Sequence, residues 1–395
     1  MSIFIWLIGV SFLLFQFFLQ LSSGIVFGAI MHEQNLSALS AGVISSAFYY
    51  IYTSAQIPVG ILFDRYNTRN LLYINAVICA TGCFVFAASY SSFGLFLGRC
   101  IMGAGSSFAF VGLSHLLRQH FPLRKYAFMI GLSETLGFTV TVLGMIGMSS
   151  LIGQMGWRLF IAEAGLLGLG IAALCWKFIP NHTPALNVEY QYKKQLLLIL
   201  KNKLAWINGL FVGLEFSVIT VFAALWAVPF LQLKLKCDIE TAGNLTSMVL
   251  LGAGLSCPLF GQLSIYFTKR KPLIHSSCLL TTLLLFVCLY APIDNTLFMG
   301  CILFLIGLCC GAYMLAFTIA NELAPAGSLS TCTGFTNTLA MLSATILQPL
   351  IGYLLDIISG KPNIYTLGDY QLALLIIPSS LLLASFLVHF LPERV

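Results

Sequence analysis

Three ionisable residues, Glu134, Glu215 and Arg99, stand inside long apolar stretches of the chain. A charge at the centre of a bilayer costs at least about 2.5–3.5 kcal/mol, so such residues usually serve a function. Burial favours the neutral form of a carboxyl group, which lets that group carry a proton near neutral pH. We expect Glu134 or Glu215 to carry a proton or to bind a cationic group of a ligand. The structural alternative for either residue is a hydrogen bond between helices.

Arg99 also has two interpretations, because a buried guanidinium can bind an anionic ligand or can bond to backbone carbonyls and a carboxylate. Uncharged residues at similar depths could line a ligand pathway, since aromatic and amide linings suit small polar organic molecules. Any one of them could equally be a packing residue. These residues are Tyr49, Trp226, Tyr313 and Asn337.

The composition indicates what kind of element must hold these residues. The 395 residues include only 19 Lys and Arg and 13 Asp and Glu, so 8% are charged and 59% are hydrophobic. A typical soluble domain carries about 25% charged residues. The composition therefore excludes a soluble enzyme and a disordered chain, and it predicts a protein embedded in a lipid bilayer. The net charge of +6 is spread thinly over short loops, so we expect no nucleic-acid partner.

The sequence offers no pattern for a metal or a cofactor. Its twelve cysteines form no CxxC pair and no cluster with histidine at zinc-binding spacing. A phosphate-binding GxxxxGK[ST] loop is also absent, which argues against ATP as an energy source. A membrane-embedded enzyme would need His and Asp or Glu clustered at one depth, and the six histidines are scattered. We therefore expect no catalytic residues, no metal and no cofactor.

Twelve apolar stretches are long enough to cross a bilayer, which takes about 20 residues per helix. A polar segment at residues 180–203 divides them into an N-terminal six-helix bundle (1–179) and a C-terminal one (204–395). The predicted fold is thus all-α, with two pseudo-symmetric bundles joined by a cytoplasmic linker. The predicted spans are 3–30, 41–62, 71–89, 93–116, 127–152, 159–179, 204–232, 242–266, 273–292, 297–321, 330–357 and 371–391.

The basic residues predict the orientation. With a cytoplasmic N-terminus, 14 of the 19 Lys and Arg fall in cytoplasmic segments and only four in outer ones. This asymmetry is typical of a membrane protein whose basic loops stay inside, and it places both termini in the cytoplasm. The short loops favour the inner membrane of a bacterium.

The two halves of the sequence resemble each other. Pro122, Gly131 and Glu134 align with Pro325, Gly334 and Asn337 at one constant offset. The segment 60–69 aligns with 261–270 at an offset that is smaller by two residues. A parallel repeat of six helices explains these offsets, and such repeats place the binding site between the halves near the bilayer midplane.

The segment 60–69 reads GILFDRYNTR and carries Gly60, Asp64, Arg65 and Arg69. It resembles the loop signature of major facilitator superfamily transporters, and the resemblance extends over essentially the whole chain. Asn67 stands where that family usually has Gly, and Asn is the next best residue for a left-handed backbone. The second copy keeps Gly261, Lys269 and Arg270 but has Ile265 and Tyr266 in place of Asp-Arg. Arg99, Gly103 and Gly105 resemble a second family motif.

The resemblance implies a secondary transporter that works by alternating access. It also implies that Gly60, Asp64, Arg65 and Arg69 form a conformational latch, whereas the plain alternative is a basic loop that only fixes topology. We expect a monomer that moves a small polar organic solute by proton-coupled uptake. An organic anion, an amino acid or a siderophore-like metabolite would each fit. Proton-driven efflux of a metabolite or drug is the alternative, and a transport-dead membrane sensor is a remote one.

Overall fold

The structure is a computed structural model that describes residues 2–21, 30, 33, 38–181, 192–267, 269–359 and 365–393. Within these ranges the regular elements are all helical, in agreement with the predicted all-α class. The first six helices are α1 (Ser2–Leu21), α2 (Ala38–Phe63), α3 (Thr68–Ala87), α4 (Ser92–His120), α5 (Leu123–Met155) and α6 (Trp157–Phe178).

The described residues of the second half form ten α-helical segments, several of them short. They are α7 (Tyr192–Lys201), α8 (Lys203–Ser217), α9 (Ala227–Leu235), α10 (Ile239–Tyr266), α11 (Lys271–Tyr290), α12 (Thr296–Cys309), α13 (Leu315–Leu323), α14 (Leu329–Ser359), α15 (Leu367–Ala373) and α16 (Ile376–Val388).

Eleven helical stretches of the described chain are long and apolar enough to cross a membrane. They correspond to all the predicted spans except the second, which coincides with the 26-residue helix α2. At 1.5 Å per residue, α2 has a length of about 39 Å. The predicted architecture of a multi-pass helical membrane protein is therefore confirmed.

Two of the spans are not regular α-helices. Between α8 and α9, residues Val218–Trp226 form a π-helical segment. Between α12 and α13, residues Cys310–Met314 form a 3₁₀ turn. Such departures lengthen or weaken backbone hydrogen bonds, and they occur often at functional sites. Two of the three candidate aromatic residues, Trp226 and Tyr313, lie within them, which the hydropathy pattern did not indicate.

Asn67 does not have the left-handed backbone that its position in the loop motif suggested. Its backbone has φ −60° and ψ 119°, so it is extended and not left-handed. Its side-chain oxygen accepts hydrogen bonds from the backbone N–H groups of Arg69 at 2.9 Å and Asn70 at 3.4 Å. Asn67 is therefore the N-cap of α3, a position at which Asn is among the preferred residues. The expectation of a left-handed residue was wrong.

The chain forms two compact units, and each unit combines segments from both halves of the sequence. Unit 1 consists of Met1–Pro122, Val140–Leu198 and Ala324–Phe335. Unit 2 consists of Leu123–Thr139, Ile199–Leu323 and Thr336–Val395. Helices α5 and α14 are thus divided, and each has one end in unit 1 and the other end in unit 2. The division into bundles on either side of residues 180–203 stays a prediction.

Glycines at repeat-related positions let backbones approach closely within each unit. In unit 1, a Cβ added to Gly60 of α2 would lie 2.5 Å from the Ser330 carbonyl oxygen, and one added to Gly334 would lie 2.3 Å from that of Gln56. In unit 2, a Cβ added to Gly261 of α10 would lie 2.6 Å from the Ala127 carbonyl oxygen. Gly131 of α5 approaches the backbone of α10 in the same way. The sequence repeat therefore recurs as one packing pattern, in which small residues bring helices together.

The contact between α10 and α12 of unit 2 is tighter still. A Cβ on Gly252 would lie 2.1 Å from the Phe304 carbonyl oxygen, and one on Gly307 would lie 2.0 Å from that of Val249. Because these neighbours are backbone atoms, neither helix could accept a methyl group without moving.

We predict that Gly252→Ala lowers the melting temperature of the purified protein in detergent, because an inserted methyl forces α10 and α12 apart. Overpacking of this kind costs about 1–3 kcal/mol. The matched control is Gly243→Ala in the same helix, whose added Cβ meets nothing within 4 Å. Equal melting temperatures for the two variants would contradict the close packing described for these helices.

Candidate functional site

Asp64 follows the end of α2 and caps the start of α14, within unit 1. Its carboxylate accepts hydrogen bonds from the backbone N–H groups of Ser330 at 2.9 Å and Thr331 at 2.7 Å. It also accepts one from the Thr331 hydroxyl at 2.6 Å. The first N–H groups of a helix have no partner in the helix itself, and the N-terminus favours a negative charge. Asp64 thus supplies both acceptors and charge to α14.

Gly60 makes this cap possible, because it lets the last turn of α2 approach the first turn of α14. Burial raises the pKa of the Asp64 carboxyl, and the hydrogen bonds from Thr331 and Ser330 and the charge of Arg118 oppose that shift. The cation acting on Asp64 is thus Arg118 of α4. The side chains of Arg65 and Arg69 are only half-buried.

Arg118 and His115 of α4 extend this network on α14. The Arg118 guanidinium donates to the hydroxyls of Ser330 at 2.8 Å and Thr333 at 3.0 Å. The His115 Nδ1 lies 2.7 Å from the same Ser330 hydroxyl. Together with Asp64 these residues border a cavity of about 270 Å³. The sequence motifs did not predict this role, because Arg118 and His115 lie on α4, outside the loop segment 60–69.

The degenerate second copy of the loop makes a different contact, within unit 2. The Arg270 guanidinium forms a two-pronged ion pair with Glu322, with distances of 2.9 and 2.6 Å. It also donates to the Pro392 carbonyl at 3.1 and 3.0 Å. Such paired bonds fix a guanidinium firmly. The second copy therefore has a buried cation where the matching Arg69 is half-buried, and an ion pair in place of the capping carboxylate.

Arg99 lies in the interior of unit 1, near α1 and α2. Its guanidinium donates to the Leu19 carbonyl at 2.8 Å and stacks over the Phe48 ring, 4.9 Å from the ring centroid. The positive charge acts on the neighbouring Tyr49 hydroxyl, which in turn bonds to Gln20. The structure thus brings together two predicted pathway residues, Arg99 and Tyr49.

The two candidate carboxyls differ in their surroundings, although both belong to unit 2. Glu134 of α5 is 4% exposed and makes no hydrogen bond or ion pair with any described residue. Its charge acts on the Tyr313 hydroxyl and the Cys257 thiol, which are 3.1 Å apart. Glu215 of α8 is 0% exposed and accepts a hydrogen bond of 2.7 Å from the Ser277 hydroxyl.

Two further predicted residues also belong to unit 2. Trp226 ends the π-helical segment and lies 6.4 Å from the Tyr370 ring, and its indole N–H is buried without an acceptor among the described residues. Asn337 is 3% exposed in α14. The structure therefore groups Glu134 with Tyr313 and Cys257, and it places Glu215 with Ser277 and Trp226 with Tyr370.

Comparison with known proteins decides the family. The family model described as Major Facilitator Superfamily matches residues 6–347. The chain belongs to the Major Facilitator Superfamily. The resemblance read from the loop motif is thus confirmed, and with it the assignment as a membrane transporter of a small molecule and not an enzyme.

Related superfamily members agree with this assignment over most of their length. An uncharacterized transporter, YybO of Bacillus subtilis, is 23% identical, with 92% of this chain and 89% of the relative covered. The probable galactarate/D-glucarate transporter GarP of Escherichia coli is 23% identical, with 82% and 81% covered. The solved structure of the proton:xylose symporter XylE matches with a TM-score of 0.75 at 14% identity. The match covers 99% of this chain and 96% of the XylE chain. XylE therefore shares the fold.

Proposed function

We propose that this superfamily member takes up a small organic anion together with a proton, and that a sugar acid is the substrate class. Galactarate and D-glucarate, named for the relative GarP, are hydroxylated dicarboxylates. The buried guanidinium of Arg99 offers a positive charge that suits a carboxylate, and the neighbouring Tyr49 and Gln20 offer hydrogen bonds for hydroxyl groups.

The proposal of proton coupling rests on one observation, the burial of the Glu134 carboxyl without a polar partner among the described residues. This carboxyl is almost fully buried and has neither an ion-pair partner nor a hydrogen-bond donor among the described residues. Burial without compensation favours the protonated form, whereas hydration would favour the anion. Glu134 therefore takes up a proton when buried and releases it when water reaches it. The charge of Glu134 acts on the hydroxyl of Tyr313, which lies in the 3₁₀ turn. A change in the protonation of Glu134 therefore affects this turn.

Asp64 is the latch in this proposal. Its three hydrogen bonds to the first turn of α14 hold one conformation of the transport cycle, and they must break for the cycle to proceed. Gly60 sets the close approach, Arg118 adds its bonds to the same turn, and Arg65 and Arg69 keep the loop at the cytoplasmic surface. Both chain termini lie in the cytoplasm, and the protein works as a monomer in a bacterial inner membrane.

The substrate class is tested with purified protein in liposomes under an imposed pH gradient. The panel contains galactarate, D-glucarate and a hexuronate, with xylose, fucose and several amino acids as comparisons. We expect a sugar acid to accumulate when the outside is acidic and to leak out when a protonophore is added. Accumulation of an amino acid or a neutral sugar instead would refute the anion assignment, and uptake that ignores the gradient would refute the coupling.

We predict that Glu134→Gln strongly reduces accumulation driven by the pH gradient but leaves exchange of labelled for unlabelled substrate. A coupling of 1–3 kcal/mol corresponds to a loss of about 5–150-fold. The control is Glu163→Gln, which changes an exposed carboxyl on α6. Loss of both accumulation and exchange would assign Glu134 to substrate binding, and retention of both would remove it from the pathway.

We predict that Asp64→Asn slows initial uptake several-fold without reducing the amount of protein in the membrane, because the amide cannot supply a charge to the start of α14. An N-cap contributes about 0.5–2 kcal/mol. Asp238→Asn is the matched control, since Asp238 caps α10 through a hydrogen bond of 3.0 Å to the Thr241 N–H. Unchanged uptake in the Asp64 variant would leave the loop with a role in topology only.

A further inference from the structure

Glu215 is buried among the helices of unit 2 at a point where two spans lose their regular form. It lies three residues before Val218, where the π-helical segment begins. Its carboxyl bonds to Ser277 of α11, and the Ser277 hydroxyl also lies 2.5 Å from the carbonyl oxygen of Cys309. Cys309 is the last residue of α12, and the 3₁₀ turn that carries Tyr313 follows it directly.

The hydrogen bonds at Ser277 can be counted. A serine hydroxyl has one proton to donate, and here two acceptors are within bonding distance, the Glu215 Oε1 and the Cys309 carbonyl. If Glu215 is ionised, one of these two buried acceptors loses its donor. If Glu215 is protonated, its O–H donates to Ser277 and the Ser277 O–H donates to Cys309. Only the neutral acid lets both Glu215 Oε1 and the Cys309 carbonyl take part in a hydrogen bond with the Ser277 hydroxyl, and an unsatisfied buried group costs about 1–3 kcal/mol.

The remaining surroundings also suit a neutral acid. The titratable groups that face Glu215 are the thiols of Cys278 on α11 and Cys310 on the 3₁₀ turn. A thiol is a weak donor. The second carboxyl oxygen, Oε2, makes no hydrogen bond of ordinary length with the described residues, and no described Lys, Arg or His forms an ion pair with Glu215.

We propose that Glu215 is a positioning residue that holds a proton and, through Ser277, fixes the end of α12 and with it the turn that presents Tyr313. Loss of that proton to water turns the Ser277 hydroxyl toward the carboxylate and leaves the Cys309 carbonyl without a donor. The break in the span then loosens, and the Tyr313 hydroxyl loses its fixed place 3.1 Å from the Cys257 thiol. Glu215 acts without touching substrate.

This inference deepens the proposed function and rests on it only for its transport readout. Two other readouts need neither substrate nor gradient. A protonated carboxyl has its own infrared C=O absorption, which an ionised one lacks. In addition, a proton that is bound in the folded protein and released on unfolding makes stability fall as pH rises.

The first experiment compares wild type, Glu215→Gln, Ser277→Ala and the control Ser276→Ala as purified full chains. Ser276 is exposed and its hydroxyl bonds only locally, to the Leu273 carbonyl at 2.9 Å. We expect carboxylic-acid absorption at neutral pH in wild type and Ser276→Ala, loss of the Glu215 component of that absorption in Glu215→Gln while the Glu134 component remains, and a shift of the Glu215 component in Ser277→Ala. Identical spectra for wild type and Glu215→Gln would show an ionised Glu215 and would overturn the proposal.

The second experiment measures melting temperature and initial uptake between about pH 6 and pH 9. We expect the melting temperature of wild type to fall with rising pH more steeply than that of Glu215→Gln, and the uptake of Glu215→Gln to lose part of its pH dependence. If the infrared band is present but both pH profiles of Glu215→Gln match wild type, Glu215 does not position the turn. If wild type shows the infrared band of a protonated Glu215 but no uptake driven by the pH gradient, the result counts against the proposed function and not against this inference.

Discussion

The hydrocarbon core of a bilayer contains no water, so every backbone group and every charge within it must find a partner inside the protein. This constraint accounts for the described helices, since a helix satisfies its own backbone except at its ends. It also explains where irregular backbone is tolerated. The π-helical segment and the 3₁₀ turn lie where residues such as Val221, Phe222, Cys310 and Tyr313 are buried, so their weakened hydrogen bonds are shielded by protein.

The same constraint makes the ends of helices useful for switching. At the start of α14 the Asp64 carboxylate accepts hydrogen bonds from backbone N–H groups, and the Arg118 guanidinium donates to side-chain hydroxyls. Each of these bonds joins segments that are far apart in sequence. A cap of this kind can be released as a unit, because its acceptors belong to one side chain. Close backbone approach at Gly60 and Gly334 puts the cap within reach, and Gly131 and Gly261 repeat that packing in unit 2.

Glu134 and Glu215 show how two buried carboxyls acquire different roles. Glu215 bonds to Ser277, whose hydroxyl also lies against the Cys309 carbonyl, and in our proposal the protonation of Glu215 changes the shape of a span. Glu134 has no such partner among the described residues and stands beside the Tyr313–Cys257 contact. Both carboxyls affect Tyr313 in our proposal. Glu134 acts through its charge, and Glu215 acts through the 3₁₀ turn that carries Tyr313. Under the proposed function, proton binding is linked to conformation at these two points.

The sequence by itself determined the membrane class, the helical fold, the repeat and the loop motif, because each of these depends on local composition and spacing. Hydropathy finds a span whether or not its backbone is regular, so the breaks at Val218–Trp226 and Cys310–Met314 were visible only in the folded chain. Tertiary structure also decided that Asp64 caps α14, that Arg118 joins it, and that Asn67 caps α3. The physical reason is that a buried polar group is defined by its partners, and those partners come from helices that are distant in sequence.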